Sequence, residues 1–347
     1  MKSTARLLAT LITIGLLLLI WGVWQVYWSS PAKDAETIVV TIEEGSSLKL
    51  VSDDLKEQKI INSKTLFRAY AKWKDLDTEI RAGEFYLQPG MSVVDALETL
   101  TVLQAEPENT LTFLEGWSLR DYGYYLENQG LFQAEELHES VGFPVSAGQS
   151  ETEFVSSLRD EYELLASKPT DVPLEGYLFP DTYRFFTDAT LEDMVRKMLD
   201  NLELKLTDEM LAEIERQGRT VHEVLTLASI VEREARGNED QAIVADIFWR
   251  RLEVGQALQA CSTVNYVTGK SDPAVTYEDQ AIDSPYNTYL YRGLPPGPIA
   301  NPGLGAIEAT IYPTANNYWY FLTDNDGNMH YSSTYDEHLS NKATYLR

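Results

Sequence analysis

The alternation of apolar and polar residues divides the chain into segments of distinct character. Residues 7–28 hold no charged residue. A helix of about 22 residues rises about 33 Å, enough to cross a hydrocarbon core of ~30 Å. Trp21, Trp24, Tyr27 and Trp28 gather at its far end, as an interfacial aromatic belt does, and Lys2 and Arg6 precede it. The pattern predicts a short cytoplasmic tail (1–6), a single transmembrane helix (7–28), and everything after it outside the cytoplasmic membrane. A cleaved signal peptide is the competing reading. Its apolar core would be shorter, and an aromatic-rich end is a poor cleavage site. Residues 29–36 read as a polar linker.

Thr37 to Ile42 alternates like a strand, Glu44-Gly45-Ser46-Ser47 reads as a turn with a helix cap, and Leu48 to Gln58 as a helix. Ser63 caps a second helix with Leu66, Phe67, Tyr70 and Ala71 facing inward. Gly83 to Leu87 is a second strand, Pro89-Gly90 a turn, and Ser92 to Leu103 a further helix. Residues 37–105 thus form a small β-α-α-β subdomain. Its opening recurs: Val40 to Leu48 matches Leu111 to Leu119, and the match continues through Leu55 with Leu126 and Gln58 with Gln129. Two copies are too few for a solenoid. They are either one fold solution used twice or a small carbohydrate-binding unit.

Further on, 131–168 reads as helix with a polar break at Val145 to Glu151. Leu174 to Phe185 reads as an exposed, rigid turn in which aromatics alternate with Gly and Pro. Thr190 to Gln217 reads as one or two amphipathic surface helices. The most informative stretch is Thr220 to Ala235. Thr220 and Glu223 have the spacing of a capping box. Val221, Leu225, Ala228 and Glu232 fall on one stripe at roughly 100° per residue. Val224, Leu227, Ile230 and Val231 make most of the remaining surface apolar. A helix apolar nearly all round belongs in a core, so Glu232 occupies a hydrophobe's place in the last turn. Burial disfavours the charged form and raises its pKa. A carboxylic acid still protonated near neutral pH is what a general acid needs. The helix alone fits equally well a core Glu paired with Arg233, Arg236, Arg250 or Arg251. Glu234 lies about 200° further round the helix, so the two carboxylates cannot share a face.

Charge narrows the functional classes. The 54 Asp and Glu outnumber 28 Lys and Arg, for a net charge of −26. That excludes a phosphate-gripping nucleic-acid surface and speaks against a grip on anionic lipid. A solubilising surface is the plain reading. Cys261 is the one cysteine, so there is no intramolecular disulfide and no thiolate zinc site. His138, His222, His330 and His338 show no metal-ligand spacing. Asn238 or Glu239 starts a helix that stops at Gly255. Ser284 to Gly303 is dense in Pro, Gly, Asn and Tyr. It has too many tyrosines for a disordered linker, and Tyr rings suit the faces of sugars. Trp319 to Thr323 and Met329 to Ser332 read as a hairpin around Asp324-Asn325-Asp326-Gly327. The fold class is α+β, with 106–347 as a larger mixed domain.

Ala228-Ser229-Ile230-Val231-Glu232-Arg233-Glu234, Leu258-Gln259, Thr263-Val264, Tyr286-Asn287-Thr288-Tyr289 and Gly293 to Gly303 together resemble the MltG (YceG-like) endolytic murein transglycosylases. Glu175 to Phe185 resembles that family's E-G-x-x-F-P-D-T-Y segment, and Thr37 to Leu103 its LysM-like subdomain. The resemblance implies a membrane-tethered lyase, its catalytic domain extracytoplasmic, that cuts the MurNAc-β-1,4-GlcNAc bond inside glycan strands. It implies cleavage without water, 1,6-anhydro-MurNAc ends, and a place in ending nascent-strand growth. Glu232 matches the family's catalytic position, acting as acid and then as base. Glu234, Glu175, Gln259, Thr263, Tyr286, Asn287, Thr288 and Tyr289 are the candidate substrate-binding residues. No cofactor or metal is implied. The implied partners are peptidoglycan glycan strands, the inner membrane through the N-terminal helix, and penicillin-binding proteins and other cell-wall synthases, with no nucleic acid. Where the family often reads L-Q-S-D-x-T-V, Ala260-Cys261 replaces S-D. The rival class is a non-catalytic peptidoglycan-binding scaffold. An aminodeoxychorismate lyase would need a Schiff-base lysine, and neither the core helix nor the Pro/Tyr loop contains one.

Overall fold

The structure, a computed structural model, describes residues 13, 21–24, 26–29, 37–43, 45–101, 108–145, 147–270 and 275–346. The chain divides into two compact units, Met1–Pro107 and Glu108–Arg347. Most of the expected 7–28 span lies outside the described residues, as do 1–6 and most of the 29–36 linker. Among the described residues no helix is long and apolar enough to cross a membrane.

In the first unit, β1 (Ile38–Ile42) is followed by α1 (Leu48–Glu57), α2 (Lys64–Trp73), β2 (Gly83–Leu87) and α3 (Val93–Thr101). Ser47 and Ser63 cap α1 and α2 by accepting the amides of Leu50 and Leu66. β1 and β2 pair antiparallel, Ile38 opposite Leu87. The alternation of the strands turns Val40, Ile42, Phe85 and Leu87 onto a core with Leu55, Phe67 and Leu97.

The second unit opens with β3 (Glu108–Thr112), α4 (Leu119–Asn128), α5 (Ala134–Val141) and α6 (Glu153–Leu158), and returns through β4 (Thr182–Phe186). The expected exposed turn at 174–185 is a correction. Leu174, Tyr177, Leu178 and Phe179 are buried, and 182–186 is a strand paired antiparallel with β3, Glu108 opposite Phe186. Gly176, at φ +84°, packs so tightly on Pro298 that a Cβ would overlap its ring. The Gly and Pro here serve close packing rather than exposure. The second copy of the repeat is therefore closed by its own return strand, as the first is by β2.

Next come α7 (Leu191–Lys205), α8 (Asp208–Arg216), α9 (Val221–Glu234) and α10 (Asn238–Glu253). They are followed by α11 (Cys261–Thr268), α12 (Tyr277–Gln280), α13 (Leu304–Ile311), β5 (Tyr320–Thr323), β6 (Met329–Ser332) and α14 (Tyr335–Tyr345). The capping box on α9 forms in both directions between Thr220 and Glu223. Every residue from Val224 to Val231 is buried, and α9 packs on α10 and α13. The long 284–303 segment has no regular element but is not an exposed loop, because Tyr286, Asn287, Thr288 and 297–303 are buried.

Candidate active site

Glu232 ends the buried run of α9 and is itself half-buried. Its Oε2 accepts the Gly303 amide at 3.2 Å. Gly303 is the N-cap of α13, with an ordinary φ of −74°. With Glu115 where it stands, a Cβ there would overlap its carboxyl and lie 2.8 Å from its Cγ, so a side chain at 303 would move the Glu115 carboxyl aside. On the other side stands Gly116 at φ +76°, where a Cβ would sit 3.5 Å from Glu232 Cγ and 3.6 Å from Arg233 Cδ. Two glycines thus let two backbone segments close on one acid.

Burial pushes the Glu232 pKa above the usual carboxylate value. The Gly303 hydrogen bond opposes that shift, the Glu115 charge adds to it, and Arg233 opposes it. Three of the four arginines that could have neutralised Glu232 are engaged elsewhere. Arg233 donates to Gly116 O at 3.0 Å, Arg250 pairs with Asp246 at 2.9 Å, and Arg251 holds the carbonyls of Leu258 and Trp319. Glu232 forms no ion pair among the described residues, so the structural ion-pair reading loses its support.

A buried network holds this arrangement. Glu175 is fully buried and accepts from Leu119 N (2.9 Å), Tyr266 OH (3.1 Å) and Asn301 Nδ2 (3.3 Å). Asn301 Oδ1 takes the amides of Gly176 and Leu178 at 2.9 and 3.2 Å. The Asn301 backbone exchanges hydrogen bonds with the turn before α4: Asn301 N donates to Trp117 O, and Gly116 N donates to Asn301 O. Ser229 Oγ accepts Ile299 N at 2.9 Å, tying the strap to α9. The spacing of Gly116, Gly303 and Glu232 is therefore set by a largely buried network centred on Glu175, Asn301 and Ser229.

The model of the YceG-like family matches residues 40–344. The chain belongs to the YceG-like family. It is 32% identical over 316 residues to the endolytic murein transglycosylase of Bacillus subtilis, covering 90% of this chain and 86% of that one. It is 33% identical over 333 residues to the protein of the same name from Streptococcus pneumoniae D39, covering 91% of this chain and 59% of that longer relative. The crystal structure of a yceG-like protein from Listeria monocytogenes superposes with a TM-score of 0.60 at 32% identity, covering 88% of this chain and 99% of that one.

Within this YceG-like chain, the candidate substrate-binding residues fall into separate groups. Glu234 turns away from Glu232, and its Oε1 accepts the Ser262 amide at 3.0 Å. Burial pushes its carboxyl pKa up. Thr263 and Thr288 are buried against each other, their hydroxyls 2.9 Å apart, and Asn287 donates to the carbonyls of Gln280 and Ile282. Thr263 and Thr288 tie the Pro/Tyr segment to the start of α11, while Asn287 ties it to the end of α12 and the residues just after, so the polar atoms of all three are engaged within the protein. Glu175 and Tyr286 are also buried, Glu175 within the hydrogen-bonded network described above. The Tyr286 ring packs on Tyr266 with centroids 5.2 Å apart. Tyr289 is half-buried, its hydroxyl 3.1 Å from Cys261 Sγ. Gln259 alone in this set is fully exposed, and it holds a φ of +52°, a left-handed conformation rare for a residue with a side chain. Ala260 stands at the N-cap of α11 without a side-chain cap, and Glu234 takes the Ser262 amide instead.

Glu115 was not singled out by the sequence, although it lies in the repeated Glu-Gly turn. The signal was present in that repeat, but nothing local says that only the second copy meets α9. Among the described residues no three His, Cys, Asp or Glu side chains converge to hold a metal ion.

Proposed function

We propose that this chain is an endolytic murein transglycosylase that cuts the MurNAc-β-1,4-GlcNAc bond within glycan strands and leaves 1,6-anhydro-MurNAc ends. Family membership and the names of its relatives support the reaction class. The carrying observation is Glu232: half-buried, unpaired by any cation, its pKa raised by burial, and one carboxyl oxygen fixed by Gly303 N–H. Protonated, Glu232 delivers its proton to the glycosidic oxygen as the C1–O4 bond breaks. The carboxylate so formed takes the proton of the muramyl C6 hydroxyl while O6 bonds to C1. No water is consumed, and the internal hydroxyl brings a high effective molarity. One carboxyl group can therefore serve both steps, whereas hydrolases commonly need two. Gln259, exposed and strained, is the substrate contact this reading favours among the residues of its motif.

The apolar 7–28 stretch, with Lys2 and Arg6 before it, supports a single-pass anchor with the second unit outside the cytoplasm, where peptidoglycan lies. Ending nascent strands beside penicillin-binding proteins and other synthases follows from that placement. In the test, purified protein is incubated with peptidoglycan and the muropeptides are analysed by mass spectrometry. The parent protein raises anhydro-muramyl ends, and Glu232→Gln lowers that rate at least about 1,000-fold. Binding to sacculi without new chain ends would favour the scaffold reading instead.

A further inference from the structure

Two carboxylates, Glu115 and Glu232, meet at Gly303. The Glu115 carboxyl occupies the space a Gly303 side chain would fill, and Glu232 takes the amide of the same residue. Both carboxyls rest on one glycine, which places them within about 8 Å of each other, the range over which two carboxylates flank a single sugar linkage. Glu115 is exposed and Glu232 half-buried, so the two carboxyls differ in their access to water.

We propose that Glu115 is a second carboxylate of the cleavage site, set beside the acid on Gly303 so that its negative charge faces the positive charge growing on the muramyl anomeric carbon. The inference rests on the reading of Glu232 as the acid. As C1–O4 breaks, its electron pair goes to O4, which takes the Glu232 proton, and C1 and the ring oxygen become positive. O6 then gives an electron pair to C1 and its proton to the Glu232 carboxylate. Glu115 is neither donor nor acceptor of a proton in either step. Fixed charge aimed at developing charge is an effective use of a site partly shielded from water. The same anion discourages ionisation of Glu232 before the step. Arg233, the other charge acting on Glu232, works against this but turns its guanidinium to Gly116 O. A Gly at 303 is what this geometry demands, since any side chain there would evict Glu115.

The test uses the full-length protein in detergent, scoring anhydro-muramyl ends from purified peptidoglycan between pH 4 and 9. Glu115→Gln lowers kcat about 10–100-fold with KM within threefold, and moves the alkaline limb of the pH–rate profile to lower pH. Glu115→Asp recovers part of the rate. Gly303→Ala keeps the amide but displaces Glu115, so it lowers the rate of the parent and adds little to Glu115→Gln. A Glu115→Gln rate within twofold of the parent with an unmoved pH profile overturns the inference and leaves Glu232 as the lone acid. A parent protein that makes no anhydro ends removes the enzyme reading and this inference with it. Thermal melting of each variant separates loss of fold from loss of chemistry.

Discussion

The two strand–turn–helix copies share a local design and part company at their turns. Gly45 and Gly116 both hold positive φ, +80° and +76°. The side chain missing from Gly45 would face open space, whereas a Cβ at Gly116 would lie in van der Waals contact with Glu232 and Arg233. The first turn only reverses the chain, while the second forms a wall of the candidate active site. The same residues in the same conformation acquire a chemical role from what the rest of the chain brings against them.

Substituting both glycines separates the two roles. Gly116→Val combines backbone strain with a branched side chain against Glu232, and is expected to cut anhydro-end formation about 100-fold. Gly45→Val carries the strain alone, with stability lowered by about 1–3 kcal/mol and turnover per folded molecule unchanged. Equal loss of turnover in both would erase the distinction.

The units also differ in buried charge. In the second unit burial pushes Glu175 up to about 8. Between its ordinary value near 4.5 and about 8, the folded unit keeps a proton that the unfolded chain has released. Its stability is therefore fully present at low pH and falls as pH rises through that window, by about 5 kcal/mol at most. Calorimetry from pH 5 to 8 should show the second unit melting progressively earlier, and Glu175→Gln should flatten that dependence. A melting temperature independent of pH would contradict the buried proton.

Two smaller effects concern residues 258–263, where the connection from α10 enters α11. Gln259→Gly removes a left-handed strain and should raise stability by about 1 kcal/mol while lowering turnover, if the exposed amide touches glycan. Unchanged turnover would take Gln259 out of the site. Ala260→Ser restores a side-chain cap to α11 and should add about 0.5–1 kcal/mol in chemical denaturation. No gain would mean that Glu234 already serves that helix end fully.

Features written in short-range pattern were legible in the sequence. The capping box of Thr220 and Glu223, the buried stripe of α9, the raised pKa of Glu232 and the β-α-α-β order of the first unit all follow from neighbours within a few residues. Features set by distant partners were not. Asn301 meets Trp117 and Glu175 across 184 and 126 residues, and these contacts turn a Gly- and Pro-rich stretch into buried structure. The same remoteness hid β4, whose partner β3 lies some 70 residues earlier. It also kept the burial of Glu175, Tyr286, Asn287, Thr288 and Thr263 out of view, because their partners lie in other segments of the chain.

The central claim is that Glu232 gives a proton and takes one back while an internal hydroxyl, not water, closes on the anomeric carbon. Digestion of peptidoglycan in ¹⁸O-labelled water, followed by mass spectrometry of the new chain ends, tests it most directly. The account predicts anhydro-muramyl ends with no label and their disappearance with Glu232→Gln. Labelled reducing ends, or unlabelled anhydro ends made equally well without the carboxyl, would contradict it.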